Sequence, residues 1–383
     1  MTVLLVGIGD FGTGFQSGRP RALHRAIRDA HDVVTVSLPR AAGARRAIGA
    51  ADARMPVGNY LAERSRHLTL SYALELERAI EQHHPDAVVS TTTLPFTRPT
   101  TVPSASWPDA PLNMMISDLA YPRLTRLSKR AKQRYIDAET QSLSNQSLIV
   151  MPTKRALEYV SMLGVTNKPN LFAPFGPNID PALLSVARAF RSEDLRSRPS
   201  VRPIQLLFIG LDWSRKGGPI ALETVAELNR RGLSSRLTVI GVCPREVAAN
   251  PLVNYLGRLN PDSPKDQPKL VDALSAAWAL IFPTRADNYG AVACEAASVG
   301  VPVLISTSAG VSEHVVSMGF GSAIEVQHDV KTEASLYANA VEELAAAPST
   351  YSAACEAGPD ATSGPLSYRS GWEAILRALL SSA

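Results

Sequence analysis

The sequence predicts an α/β protein built from two Rossmann-like domains. Two series of apolar strand-like segments alternate with helix-like segments, and a charged segment poor in apolar residues (190–203) separates the two series. Strands that are apolar along their whole length and alternate with helices are typical of a parallel sheet covered on both faces. At 383 residues, the chain is long enough for two domains of ordinary size.

Each series contributes one sheet. In the first, strands are predicted at 2–9, 33–38, 86–93, 112–118 and 147–153, and helices at 20–31, 70–83 and 124–146. In the second, strands are predicted at 204–210, 236–242, 253–259, 278–284, 301–307 and 322–326, and helices at 219–232, 266–277, 290–299, 331–346 and 368–380. We therefore predict domains at residues 1–195 and 200–366.

Composition excludes several classes of protein. The chain is 45% hydrophobic and 19% charged, as is normal for a globular protein, and it has no apolar run of about 18 residues and no signal-peptide pattern. We therefore expect a cytoplasmic location. Cys243, Cys294 and Cys355 lie far apart without metal-ligand spacing, which favours reduced packing residues.

Charge is distributed unevenly along the chain. Residues 1–190 hold 22 Lys and Arg against 15 Asp and Glu, whereas the remaining residues hold 17 against 20. A basic first domain could attract an anionic acceptor or make peripheral contact with an anionic membrane. The alternative is a solvated helix face, because the cations of residues 123–134 recur at helical spacing. No nucleic-acid partner is expected, since no recognition module is present and aromatic residues make up only 6%.

Two segments of the second half carry most of the functional information. In "FIGLDWSRKGG" (208–218), a strand gives way to Arg215 and Lys216 immediately before a helix, where side-chain charge, backbone N–H groups and the helix dipole all favour a phosphate. In "FPTRADNYGAVACEAASVGVPV" (282–303), Asp287 lies in a loop and Glu295 lies about two turns into the next helix. Two separate carboxylates suit a ligand with two diols. Together the segments indicate a sugar nucleotide.

In this order, the two segments resemble the carboxyl-terminal half of the retaining glycosyltransferases of family 4, which have the GT-B fold. The resemblance implies two Rossmann-like domains whose sheets face each other across a cleft, with the helix in 367–383 returning to the first domain. It differs at two positions: Asp287 stands where Glu is usual, and Leu211 stands where an Arg is usual, with Arg215 beside Lys216 instead.

The resemblance also implies roles for individual residues. Arg215 and Lys216 would neutralise the donor diphosphate, Glu295 would hold the ribose hydroxyls, and Asp287 would hold the transferred sugar. The remaining residues expected at the donor are Gly9, Gly12, Gly14, Arg258, Leu259, Asn288, Tyr289 and Gly290. Segment 173–180 resembles the family's Pro-x-Gly-x-Asn/Asp segment, which ends the last strand of the first domain, and segment 148–160 resembles the strand and helix before it.

Asp118 is a further candidate. In "ISDLAYPRL" (116–124) it stands at the end of a predicted strand, near where many members of the family place a His that faces the donor sugar. Two interpretations are open: a catalytic residue, or a cap for the helix that follows.

Gly7-x-Gly9-x-x-Gly12 after the first strand is also a dinucleotide-binding fingerprint. A nicotinamide enzyme should then carry an acidic residue near the end of the second strand, where Ser37, Leu38, Pro39 and Arg40 stand instead. An oxidoreductase also leaves the motifs of the second half unexplained, so we favour the transferase. A noncatalytic sugar-nucleotide-binding protein of the same fold is the other alternative.

The expected mechanism uses no cofactor and no metal. No DxD motif occurs in the sequence, and no residue stands out as a covalent nucleophile. By resemblance, a nucleoside-diphosphate sugar, foremost a UDP-sugar, is the donor substrate, and its leaving phosphate takes the proton of the acceptor hydroxyl. The acceptor is not identified by the sequence: a glycan, a small molecule, a lipid or a protein would each fit.

Overall fold

The chain divides into two compact units. A computed structural model describes residues 1–9, 11, 18–39, 61–119, 121–192 and 200–381. The first unit comprises Met1–Pro174 and Tyr368–Ala383, and the second comprises Phe175–Ser367.

Within the described residues, the first unit is a six-stranded parallel sheet flanked by helices, in the strand order β2-β1-β3-β4-β5-β6. Its strands are β1 Thr2–Ile8, β2 Asp32–Leu38, β3 Ala87–Ser90, β4 Ser104–Ser106, β5 Leu148–Met151 and β6 Asn170–Phe172. Its first helices are α1 Arg19–Arg28, α2 Arg66–His83, α3 Leu112–Ser117, α4 Pro122–Thr125, α5 Lys129–Ser144 and α6 Lys154–Ser161, with a short 3₁₀ helix at Ala62–Arg64.

One face of β1 packs on helix α2 in the core of the first unit. Leu4 and Val6 of β1 are fully buried and belong to one apolar cluster with Tyr72 and Leu76 of α2. Helix α2 begins where the Ser65 side chain accepts a hydrogen bond from the Leu68 N–H group at 3.3 Å.

One predicted strand is wrong. Residues 112–118 form helix α3 rather than a strand, and Asp118 is the carboxyl-terminal cap of that helix. The Leu112 N–H group at the start of α3 donates to the buried carboxylate of Glu139, so a distant side chain caps a segment whose local pattern is ambiguous. The strand that fills this place in the sheet is β4, only three residues long.

The second unit also contains, in its described part, a six-stranded parallel sheet, in the order β12-β11-β10-β7-β8-β9. Its strands are β7 Ile204–Gly210, β8 Ser235–Gly241, β9 Val253–Gly257, β10 Ala279–Phe282, β11 Val303–Ser306 and β12 Gly321–Ile324. Its helices are α7 Pro181–Ser192, α8 Gly218–Arg230, α9 Arg245–Ala248, α10 Gln267–Ala276, α11 Ala291–Ser298, α12 Ser312–Ser317, α13 Val330–Ala346 and α14 Pro348–Ser363.

Helix α7 belongs to the second unit, although the sequence assigned it to the first domain. The reason is Arg191, which is 1% exposed. Its guanidinium group donates to the carbonyl of Gly300 at 2.8 Å, to the carbonyl of Ala277 and to the Tyr351 hydroxyl at 3.0 Å. A single buried cation thus ties α7 to three parts of the second unit.

Helix α15, Tyr368–Ser381, belongs to the first unit. Trp372 is buried, and its ring lies 5.9 Å from that of His31. Gly371 allows Trp107 to approach the helix, because a Cβ atom at this position would lie 2.4 Å from the indole ring. The structure thus puts α15 in the same compact unit as the first sheet.

Among the described helices, none combines the length and the hydrophobicity that a membrane span requires.

Arg191 provides a test of the second unit's stability. Arg191→Met should lower the free energy of unfolding by about 3 kcal/mol, because the buried oxygen atoms that accept from the guanidinium lose their donor. Urea unfolding measures this loss, with Arg188→Met as the matched control, since Arg188 lies on the same helix and is exposed. Equal effects of the two substitutions would contradict the role assigned to Arg191.

Candidate active site

The two sequence motifs meet at the carboxyl ends of neighbouring strands. Strand β10 pairs with β7, with Leu280 beside Leu207. From β7 the sheet continues to β8 on one side, and from β10 it continues to β11 on the other. Such a reversal of direction leaves a crevice at the carboxyl edge of an open α/β sheet, where ligands bind. The loops after β7 and β10 both start at this edge.

The loop after β7 is a tight turn built on Asp212. The Asp212 carboxylate accepts from the Arg215 N–H group at 3.1 Å and from Arg215 Nε at 3.3 Å. The carbonyl of Asp212 accepts from the Lys216 N–H group at 2.9 Å. The turn therefore holds both cations at the amino-terminal end of helix α8, where the helix dipole favours an anion. The N–H groups of Gly217 and Gly218 donate to main-chain carbonyls, so the two side chains are the groups that this turn offers to an anion.

Gly217 is required by this turn. It has a φ of +79°, and a Cβ atom there would lie 1.8 Å from the carbonyl oxygen of Pro283. Gly218 is required for a different reason, since its Cβ atom would lie 2.2 Å from the ring of Trp213, which packs edge to face on Phe208. The Trp and both Gly residues of "DWSRKGG" thus shape the turn, while Arg215 and Lys216 supply its charge.

Asp287 forms an ion pair with Lys216. Lys216 Nζ contacts Asp287 Oδ2, and the two side chains are 17% and 16% exposed. The same nitrogen lies 5.1 Å from the centroid of the Phe282 ring, within the range of a cation–π interaction. The structure therefore brings together two residues that stand 71 positions apart in the chain.

Main-chain contacts join the two loops as well. Arg215 Nη1 donates to the carbonyl of Ala286 at 2.8 Å, and the Arg285 N–H group donates to the carbonyl of Arg215 at 2.8 Å. The β10–α11 loop, defined here as residues 283–290, is thereby fixed against the turn after β7.

The loop after β11 supports the β10–α11 loop from its other side. Asp287 forms an isolated parallel bridge with Ala309, and the Val311 N–H group donates to the carbonyl of Tyr289 at 2.9 Å. Gly290 ends the loop with a φ of +95° and begins helix α11. The loop therefore extends the sheet by a few residues past its strands, which fixes the direction of the Asp287 side chain.

The side chains of Asn288 and Tyr289 are buried, which leaves the expected role at the donor to the main chain of residues 288–290. Tyr289 is 2% exposed, donates from its hydroxyl to the carbonyl of Phe175 and packs edge to face on the Phe175 ring at 5.1 Å. Asn288 is 1% exposed. Because both side chains are buried, only the main-chain groups of these two residues could contact a donor.

Glu295 lies on helix α11 and is largely shielded from water. Burial raises the pKa of its carboxyl group to about 7, while a hydrogen bond from the Asn178 N–H group acts in the opposite direction. Asn178 belongs to the segment 173–180, for which the sequence predicted no role at the donor. The sequence carries no sign of this contact, because the donor is a backbone N–H group that almost any residue type would supply.

Arg285 connects the β10–α11 loop to the start of helix α13. Its Nη1 donates to Glu333 Oε2 at 2.6 Å and to the carbonyl of Gln327 at 2.8 Å. Glu333 is fully buried in α13, and the same Oε2 accepts from the Gln327 N–H group at 2.8 Å. Burial raises the pKa of Glu333, and both hydrogen-bond partners oppose that shift. No local motif marks this pair, so the sequence did not identify it.

The remaining predicted residues belong to other segments of the chain. Asp118 belongs to the first unit and pairs with Arg155 at 2.5 Å. Gly9 follows β1 with a φ of +73° and donates to the carbonyl of Leu38 at 2.7 Å, whereas Gly12 and Gly14 lie outside the described residues. Arg258 and Leu259 follow β9, at the edge of the second sheet. Across the described ranges, no group of three His, Cys, Asp or Glu residues is arranged to hold a metal ion.

Comparison with known proteins shows what this chain is similar to. Residues 171–357 match the family model described as "Family 4 Glycosyltransferase in conflict systems". The D-inositol 3-phosphate glycosyltransferase of Pseudarthrobacter chlorophenolicus is 28% identical over 233 residues, which cover 57% of this chain and 50% of that protein. The chain thus spans about half the length of this curated relative.

Solved structures extend the similarity to the whole chain. Sucrose-phosphate synthase from Thermosynechococcus elongatus aligns over 100% of both chains with a TM-score of 0.67 and 15% identity. Anabaena HepE, solved in complex with UDP, aligns over 100% of both chains with a TM-score of 0.64 and 13% identity. The predicted GT-B fold class and the resemblance to family 4 are confirmed.

Glu295 provides a test by pH. With a pKa of about 7 in the folded protein and an ordinary value of 4.5 in the unfolded chain, the folded state retains a proton that the unfolded chain has lost between these pH values. The free energy of unfolding therefore falls as the pH rises from about 4.5 to about 7. Glu295→Gln carries no charge, so it should be more stable than the wild type by about 3 kcal/mol at pH 8 and equally stable at pH 4.5.

Urea unfolding at the two pH values measures this difference. The control is Glu343→Gln, which removes an exposed carboxylate from helix α13. If Glu295→Gln raised the free energy of unfolding by the same amount at both pH values, ionisation of Glu295 would not be what destabilises the folded protein.

Proposed function

We propose that this chain, whose residues 171–357 match the model of the family 4 glycosyltransferases in conflict systems, transfers a sugar from a nucleoside-diphosphate sugar to an acceptor with retention of configuration. A UDP-sugar is the proposed donor. The chemistry of the site supports this choice, and so does the likeness to a protein whose structure holds UDP.

One observation carries the proposal. Two cations, Arg215 and Lys216, stand at the start of a helix, and the carboxylate of Asp287 adjoins the second of them at the same edge of the sheet. Glu295 follows on the helix that this loop begins. Such a set matches a diphosphate flanked by two groups that carry hydroxyls, a sugar on one side and a ribose on the other.

The proposed mechanism depends on where charge develops. As the bond between the sugar and the diphosphate breaks, negative charge grows on the leaving phosphate, and cations fixed in advance stabilise that charge without reorganisation. Arg215 and Lys216 have this role. The leaving phosphate accepts the proton of the acceptor hydroxyl, and Asp287 orients the sugar.

Lys216→Ala tests the role of the cation. Because Lys216 matters most when charge has developed, kcat should fall by about 10²-fold, while affinity for the donor changes less. Steady-state kinetics and calorimetry with UDP-sugars measure both quantities. Lys331→Ala, at an exposed position of α13, is the control. Equal losses of affinity and rate would reduce Lys216 to a nucleotide-binding residue.

Metal dependence is a separate test. The sequence has no DxD motif, and two cations stand where a divalent ion would otherwise act. Transfer should therefore persist in excess EDTA. Activity that is abolished by EDTA and restored by Mg²⁺ or Mn²⁺ would contradict the proposal.

A noncatalytic sugar-nucleotide-binding protein is the second candidate, favoured by Asp287 in place of the usual Glu. Hydrolysis of UDP-sugars by the purified protein separates the two, because a binding protein leaves the donor intact.

Glycans, small molecules, lipids and proteins each offer an acceptor hydroxyl, so acceptors of each class belong in the assay. The exposed cations Arg126, Lys129, Arg130 and Arg134 of the first unit are a proposed contact surface for an anionic acceptor or membrane.

A further inference from the structure

We propose that the Lys216–Asp287 ion pair makes the site select an intact nucleotide sugar over the free nucleoside diphosphate that transfer leaves behind. This inference rests on the proposed function and deepens it. It assigns Asp287 a second role, as a residue that determines specificity between donor and product.

The two side chains that are proposed to bind a donor, Lys216 and Asp287, are paired with each other. Lys216 Nζ contacts Asp287 Oδ2, and both side chains are mostly shielded from water. When Lys216 turns to a diphosphate, Asp287 loses its counter-ion while new negative charge arrives beside it. A partly buried carboxylate near another anion is destabilised unless it gains hydrogen-bond donors.

An intact donor supplies those donors, and the free product does not. The hydroxyl groups of the transferred sugar can donate to the Asp287 carboxylate, so a sugar nucleotide replaces the contact that Lys216 gives up. A free nucleoside diphosphate binds Lys216 but has no sugar hydroxyl that could donate a hydrogen bond to Asp287. The ion pair therefore opposes binding of the product more than binding of the donor.

Asp287 cannot avoid this conflict by moving away. Its main chain is bridged to Ala309, and the preceding carbonyl, of Ala286, accepts from Arg215 at 2.8 Å. Arg215 cannot replace Lys216 as counter-ion without giving up contacts of its own, because its guanidinium also binds the Asp212 carboxylate at 3.3 Å. The carboxylate is thus held at the site whether or not Lys216 remains beside it.

Calorimetry with UDP and UDP-glucose tests the inference on the full chain, with GDP, UDP-N-acetylglucosamine and GDP-mannose as further probes. Asp287→Asn removes the charge and keeps the size of the side chain. It should raise affinity for UDP about fivefold, as expected for losing a competing ion pair, and should narrow the difference in affinity between UDP and the sugar nucleotide. The matched control is Asp212→Asn, which also removes a carboxylate beside a cation of the site.

The control separates a specific ion pair from a general charge effect. We expect Asp212→Asn to raise affinity for UDP less than Asp287→Asn does. An equal rise in both variants, or unchanged or weaker affinity for UDP in Asp287→Asn, would overturn the proposal.

A ligand-free measurement separates this proposal from the proposed function. An ammonium group held by a carboxylate is a poor nucleophile, so Asp287→Asn should accelerate acetylation of Lys216 by an N-hydroxysuccinimide ester, measured by mass spectrometry against the exposed Lys265. No acceleration overturns the ion pair itself. Acceleration in a protein that binds none of the five nucleotides overturns the proposed function, and the selectivity with it.

Discussion

The candidate site depends on where the β10–α11 loop is held. Three neighbours fix that loop: the turn after β7 through Arg215, the loop after β11 through Ala309, and the start of α13 through the buried Glu333 that binds Arg285. Most of these contacts involve main-chain groups or the Arg285 side chain rather than the residues proposed to bind a ligand. The position of Asp287 is therefore set by Arg215, which is proposed to bind the diphosphate, together with Ala309 and the Arg285–Glu333 pair, which are not proposed to bind a ligand.

The groups proposed to bind a ligand are held in place by hydrogen bonds within the protein. Arg215 is held by Asp212 and the Ala286 carbonyl, and Glu295 accepts from the Asn178 N–H group. Orientation in advance lowers the reorganisation that accompanies a charged reaction, and shielding from water strengthens each electrostatic contact. The shielding also has a cost, visible in the raised pKa of Glu295, since a carboxylate kept from water is less stable when ionised.

Local sequence predicted the parts of the structure that local interactions determine. The parallel strands, the turn with its two Gly residues and the two carboxylates followed from periodicity, charge and spacing. Strand β4 was missed because its three small residues, Ser, Ala and Ser, are too few to carry a pattern. Residues 112–118 were misassigned because Glu139, far along the chain, caps them as a helix. Asn178 and the Arg285–Glu333 pair act through tertiary contacts, which a single sequence does not reveal.

Helix α15 has a consequence for the order of folding. The first unit is assembled from both ends of the described chain, whereas the second unit is one continuous segment. During synthesis, all residues of the second unit leave the ribosome before those of α15. The second unit can therefore fold while the first still exposes the apolar surface that Trp372 later covers, so the unit that begins the chain is the last to be completed.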